Sequence, residues 1–202
     1  MVIAYKLGIY DDGSYMLEGP TYRPARIEGF HDWRFGKDGV PHPATCPKCG
    51  SKTNPEYINP NFRPKKRRRD INLTYDGCII VSKRFRQFCR RNRFKGLTFV
   101  RLPADKDFFV LRISSVLRYD VKRRKPRFEN LCPTCGEFYS VIGPEPVYFR
   151  GVRKPIEEGF FQSDLRFGSG PMKHPLTFVG IKTAEKLRKR KFPKFYLKEV
   201  EA

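Results

Sequence analysis

Cys46-Pro47-Lys48-Cys49-Gly50 and Cys132-Pro133-Thr134-Cys135-Gly136 spell one motif twice. Each is a CPxCG knuckle. Two residues between cysteines let a single tight turn aim both sulfurs at one metal ion, and two knuckles supply the four thiolates of a tetrahedral structural site. Pro at the second position presets the turn, and Gly after the second Cys permits a positive φ there. One CxxC alone is compatible with a redox pair. Two CPxCG copies point instead to a Cys46, Cys49, Cys132, Cys135 site for Zn²⁺, by the preference of thiolate sets for that ion.

Between the knuckles lie 82 residues, Gly50 through Leu131. A metal held this way does not close a local loop. It staples an early segment to a late one, so the intervening chain must fold until the two meet. With four thiolates its shell is closed, which argues for a structural ion and against metal-assisted hydrolysis. His42, four residues before Cys46, is an alternative nitrogen donor, but four sulfurs already complete the shell.

The chain has 202 residues, 39% of them hydrophobic, with 18 Phe and 10 Tyr. That supports a packed core and makes wholesale disorder an unsuitable reading. No apolar run approaches the roughly 18–20 residues that a membrane helix needs. The N-terminus lacks a signal peptide's apolar stretch, and four of six cysteines belong to the knuckles. These features predict a soluble, cytoplasmic protein in a reducing compartment.

Forty-two Lys and Arg face 21 Asp and Glu, a net charge of +21. Four zinc-bound thiolates would lower it to about +19. Charge of this size predicts attraction to polyanions and steep salt dependence of any binding. It leaves open a nucleic acid, an acidic protein partner or no specific role. Two runs are the candidate polyanion sites: Lys65, Lys66, Arg67, Arg68 and Arg69, in a loop-like segment, and Lys122, Arg123, Arg124 and Lys125, expected in a loop that Pro126 closes.

Around these motifs the pattern is mixed. Residues 5–10 read as a strand, with a turn at 11–14 and a return strand at 15–17. Residues 20–43 read as irregular structure pinned by Trp33. A strand at 77–81 leads to Ser82, a good N-cap for a helix reaching about Arg93, with Phe85, Phe88 and Cys89 on one face. Gly96 breaks that helix, and a strand follows at 97–102. The C-terminus repeats the plan, with a strand at 176–179, a helix at about 183–191 and a strand at 195–200. A shift of 98 residues places Val179 on Val81, Leu187 on Cys89, Phe192 on Phe94, Leu197 on Phe99 and Val200 on Leu102. Another strand covers 108–113, and residues 138–142 and 147–150 read as a hairpin beside the second knuckle. Residues 151–175 carry Gly and Pro again, around Gly159 to Gly168.

The expected fold is therefore α+β and a single domain over 1–202. Two related strand–helix–strand units, at about 77–102 and 176–200, are joined by a four-thiolate zinc ribbon from about 40–55 and 128–150. Cys78 and Cys89, with no CxxC partner, read as core residues. His31 and His174 have no recognisable partner. The acidic pairs Asp11-Asp12 and Glu157-Glu158 read as surface turns. No Ser-His-Asp order, HExxH, phosphate loop or paired-carboxylate motif occurs, so no enzyme activity is expected.

On the two knuckles, on Ile80-Val81-Ser82 with its helix, on Gly96-Leu97-Thr98-Phe99, and on Ser163-Asp164-Leu165-Arg166-Phe167-Gly168 followed by Phe178-Val179, the chain resembles the double-CXXCG-motif family of bacterial immunity-type proteins of polymorphic toxin systems. The resemblance covers roughly residues 40–200. It implies a small cytoplasmic protein that binds a cognate toxin and blocks it, with structural zinc, no catalysis and no small-molecule substrate. Only the four cysteines carry over as functional residues. The chain is more basic than the family leads one to expect, so a protein partner should be acidic. The alternative is a basic nucleic-acid-binding zinc-ribbon protein.

Overall fold

A computed structural model of the chain describes residues 1–17, 23–27, 32–36 and 42–202, the two segments at 23–27 and 32–36 as backbone only. The architecture is mixed and sheet-rich, with few helices. In chain order it runs β1 (Val2–Ile9), β2 (Arg23–Ile27), β3 (Asp32–Gly36), β4 (Ile71–Leu73), β5 (Ile79–Ser82), α1 (Lys83–Arg91), β6 (Leu97–Leu102), β7 (Asp105–Ile113) and β8 (Val116–Leu117). There follow α2 (Val121–Arg124), β9 (Arg127–Leu131), β10 (Phe138–Ile142), β11 (Phe160–Ser169), β12 (His174–Val179), α3 (Ile181–Arg190) and β13 (Phe195–Glu201).

One sheet has the order β13-β1-β12-β11-β10-β9, with β8 added parallel to β11; the other has the order β4-β5-β7-β6. Strands β2 and β3 pair antiparallel as a separate two-stranded sheet, so residues 23–27 and 32–36 of the 20–43 stretch, expected to be irregular, are regular strands. Trp33 and His31 fall outside the residues whose side chains are described.

The two strand–helix–strand segments have the same topology. In each, the flanking strands pair antiparallel to a third strand that sits between them: β7 between β5 and β6, and β1 between β12 and β13. The registers match as well. Phe109 of β7 lies opposite Val81 and Arg101, and Tyr5 of β1 lies opposite Val179 and Glu199. Val81 to Val179 and Arg101 to Glu199 are both shifts of 98 residues. The connections after the helices agree too. Arg93 and Lys191 both have positive φ, at 54° and 53°, as do Gly96 and Lys194, at 71° and 64°.

Both units bury their inner faces in one apolar cluster. Val81, Phe109 and Leu111 of the smaller sheet join Tyr5, Leu7 and Val179 of the larger, beneath Phe85 of α1 and Leu187 of α3. Helix α1 begins as expected, Ser82 accepting the amide of Phe85 at 3.2 Å. Cys89 faces inward and is buried, and burial pushes its thiol up to about 12.

Several segments depart from the expected pattern. Residues 15–17 do not form a return strand; the amides of Met16 and Leu17 donate to the Asp76 carboxylate at 2.9 and 3.0 Å instead of to a strand. Residues 147–150 do not pair with β10, whose neighbours are β9 and β11. The prolines at 144 and 146 lack the amide that a ladder there would use. The run Lys122–Lys125 is not a plain loop: Asp120 caps α2 by accepting the amide of Arg123 at 3.0 Å, and Lys125 ends it in the left-handed region. Residues 160–169, to which the sequence pattern assigns no element, form the longest of the described strands. Asp12 is buried rather than in an exposed turn, and its carboxylate accepts the Ser14 amide at 2.9 Å.

Candidate metal centre

The two knuckles reach the site by different routes and arrive with the same backbone. In the first, the Cys46 amide donates to Ser51 O at 2.8 Å and the Gly50 amide to Cys46 O at 2.9 Å. In the second, the Cys132 amide donates to Glu137 O at 2.9 Å and the Gly136 amide to Cys132 O at 2.9 Å. Gly50 and Gly136 sit at φ +72° and +70°, the conformation the motif requires of its glycine. The second knuckle is the turn of the β9–β10 hairpin, whereas the first lies in a loop closed by a bridge between Thr45 and Lys52.

All four sulfurs meet. Cys46 Sγ lies 3.9 Å from Cys132 Sγ, Cys49 Sγ lies 3.6 Å from Cys135 Sγ, and the four atoms fall within 4.8 Å of one another. A tetrahedron with metal–sulfur bonds of about 2.3 Å has edges of about 3.8 Å, so the spacing suits one cation at the centre. It is far too long for a disulfide, for which about 2.05 Å is needed. Cys46, Cys49 and Cys132 are buried and Cys135 is half-buried, with Tyr139 packed beside them. The donor set is therefore compatible with a metal such as zinc.

The protonation of the group fits the same function. Burial resists ionisation of Cys132, but the amides of Cys135 and Thr134 and the neighbouring thiols hold it down to about 6. Burial and the sulfurs of Cys49, Cys46 and Cys132 push Cys135 up to about 12, and burial raises Cys49. Cys132 forms its thiolate readily, while Cys49 and Cys135 resist. A divalent cation would remove that conflict by displacing the remaining protons.

Charged residues fix the knuckles to the sheets. Glu137, next after the second knuckle, accepts from Arg166 at 2.7 Å and from buried Lys173 at 3.3 Å, which ties the β9–β10 turn to β11 and to the segment before β12. Lys52, next to the first knuckle, donates to Asp76 O, and Asp76 also receives Met16 and Leu17. Sequence reasoning missed these residues. Glu137 had a signal in its position directly after the motif; Asp76 and Lys173 had none, since their partners are remote in the chain. His42 is not among the clustered donors. Its Nδ1 accepts the Ala44 amide at 3.1 Å, and its ring packs edge-on against Tyr57.

A cleft of about 720 Å³ opens between the two sheets beside Cys135. Charges in its wall form pairs, Arg112 with Glu56 and Arg166 with Glu137. Cys78 and His174 line it, each with its pKa displaced toward the neutral form, chiefly by burial.

The two basic runs lie in different settings. Lys65 donates to Gly13 O at 2.5 Å, Arg67 pairs with Asp105, and Arg69 donates to Asp11 O at 3.1 Å, leaving Lys66 and Arg68 outermost. In the other run the Arg123 guanidinium stacks over the Tyr148 ring and the Arg124 side chain lies against Gly143, while Lys122 and Lys125 are exposed. No helix among the described residues is long and apolar enough to cross a membrane. Comparison with protein-family models, with curated proteins and with solved structures finds no match for this chain.

Proposed function

We propose that this chain is a non-enzymatic binding protein whose fold is locked by one structural zinc ion on Cys46, Cys49, Cys132 and Cys135. The carrying observation is the buried four-sulfur cluster drawn from segments 86 residues apart. Such a shell leaves no position for water or substrate, so the ion's work is to join distant segments. In this reading residues 1–202 form one domain in which a zinc ribbon, from about 40–55 and 128–150, bridges two copies of one unit. The common register at a spacing of 98 residues supports the duplication.

The protein acts by surface complementarity, as an immunity-type protein that sequesters a cognate toxin or other acidic protein in the cytoplasm. Two things support this: the likeness of the knuckles and of the 163–168 segment to the double-CXXCG-motif family, and a charge of +21 that favours an acidic partner. A pull-down from the native host at about 0.15 M salt, with and without nuclease, tests it. The reading requires one acidic protein retained after nuclease treatment; retention that vanishes with nuclease contradicts it. A second reading, a basic nucleic-acid-binding zinc-ribbon protein, is favoured by where the positive charge gathers.

A further inference from the structure

The helical layer carries a charge that the metal centre does not explain. Lys83–Lys95 contains seven Lys and Arg and no acid; residues 181–194 contain seven, with Glu185 as the single acid. Fourteen cations against one carboxylate make +13 of the chain's +21. Arg84, Lys182 and Lys186 are paired, with Asp70, Glu157 and Glu158. Arg90, Arg91 and Arg93 at the end of α1, and Lys189, Arg190 and Lys191 at the end of α3, are exposed, and none of the ion pairs among the described residues includes them. Like charges crowd there: burial, then Arg90 and Arg101, lower the pKa of Arg86.

The arrangement is also close to two-fold symmetric. Phe88 of α1 packs on Phe192, which follows α3, at 5.2 Å. The residue 98 positions after Phe88, Lys186, lies over the ring of Phe94, which follows α1, at 5.4 Å. Each helix thus meets the aromatic that terminates the other, and Phe192 after α3 also lies against Phe85 and under Arg84 at the start of α1, as in helices of opposite sense. The same shift carries Arg84, Arg90, Arg91 and Arg93 onto Lys182, Arg188, Lys189 and Lys191.

A protein partner would call for apolar or aromatic anchors, and lysine is depleted at such interfaces. The exposed large apolar side chains, Tyr10, Tyr75, Val116 and Leu131 among them, belong to other elements; none of the described ones lies on α1 or α3. Duplex nucleic acid offers what this face matches: two antiparallel phosphate strands, related by local two-folds and dense in negative charge. We propose that the outer face of α1 and α3 binds the phosphate backbone of a nucleic-acid duplex without reading its sequence. The matched Arg/Lys sets at the two helix ends would each take one strand. This rests on the second reading above and gives it a place on the molecule other than the 65–69 and 122–125 runs.

The test is fluorescence anisotropy of the metal-loaded full chain with random-sequence duplex DNA, duplex RNA and single strands of about 20 nucleotides, titrated between about 0.05 and 0.3 M salt. The double variants R90Q/R91Q and K189Q/R190Q should each flatten the log–log salt slope by about 1.8 and weaken duplex binding roughly tenfold, since each phosphate contact contributes about 0.9 to the slope. The charge-matched control K66Q/R68Q should change the slope by less than half as much. Unaltered melting and metal content in the variants would show that the loss is not misfolding. Wild-type protein that binds no duplex at about 0.1 M salt overturns the second reading, and the proposal with it. Duplex binding that the helix variants weaken no more than the control does overturns the placement and leaves that reading standing. Tighter binding of single strands overturns the duplex as ligand. Equal response to DNA and RNA duplexes is the expected result for contacts made to phosphate alone.

Discussion

Gly136 at φ +70° shows how a single residue serves the metal centre. No atom crowds the place where a β-carbon would go, so the glycine is there for its backbone angle and not for space. Gly136→Ala should cost about 1 kcal/mol in urea unfolding, the usual penalty for an L-residue in the left-handed region, with one metal ion per chain retained. Cys135→Ser removes a ligand and should abolish stoichiometric metal binding. Because thiolate coordination supplies on the order of 10 kcal/mol to the folded state, that variant should aggregate or become protease-sensitive. Glu145 tests electrostatics. Its bonds to Lys198 and Lys6 hold its pKa below the ordinary carboxylate value. A depressed carboxylate stabilises the fold above its unfolded pKa, and that contribution fades as pH falls through the folded value. Glu145→Gln should therefore lower the melting temperature near pH 7, and the gap to wild type should close below about pH 4.

Elements were legible where their own side chains decided them. Helix α1 followed from Ser82, Phe85 and Cys89; Ser82→Ala should cost about 1 kcal/mol in thermal unfolding, as loss of an N-cap does. Leu187 is fully buried between α3 and both sheets, and Leu187→Ala should cost about 2–5 kcal/mol, the range for a large core truncation. The knuckles were legible because their chemistry is local. Strand β11 was not. Its buried positions, Phe160, Ser163 and Phe167, recur at intervals of three and four instead of two, because the ladder slips between Gln162 and Arg166. Polar groups fill that irregularity: Ser163 Oγ accepts the Leu176 amide and Asp164 accepts the Tyr119 amide, each from another part of the chain. The pairing of β1, itself read as a strand, was equally hidden. β1 reaches its place from the other end of the sequence, and nothing in residues 176–200 announces it.

At the scale of the molecule the centre links a loop before the smaller sheet to a hairpin at the edge of the larger one. The core beneath α1 and α3 is continuous across both sheets, so an ion held by the four sulfurs would add a tie to a frame that already packs. Removing it with a strong chelator should loosen the segments around Cys46 and Cys132 first, read as faster amide exchange in residues 44–53 and 127–142 than in β1 or β7. One divalent cation held by sulfur from both halves of the polypeptide would be the tie on which the proposed function depends. X-ray absorption at the zinc edge of the purified protein is the measurement that decides this. One zinc ion per chain with four sulfur neighbours at about 2.3 Å is the expected result. Nitrogen or oxygen in the shell, or a fully folded protein that carries no metal, would contradict it.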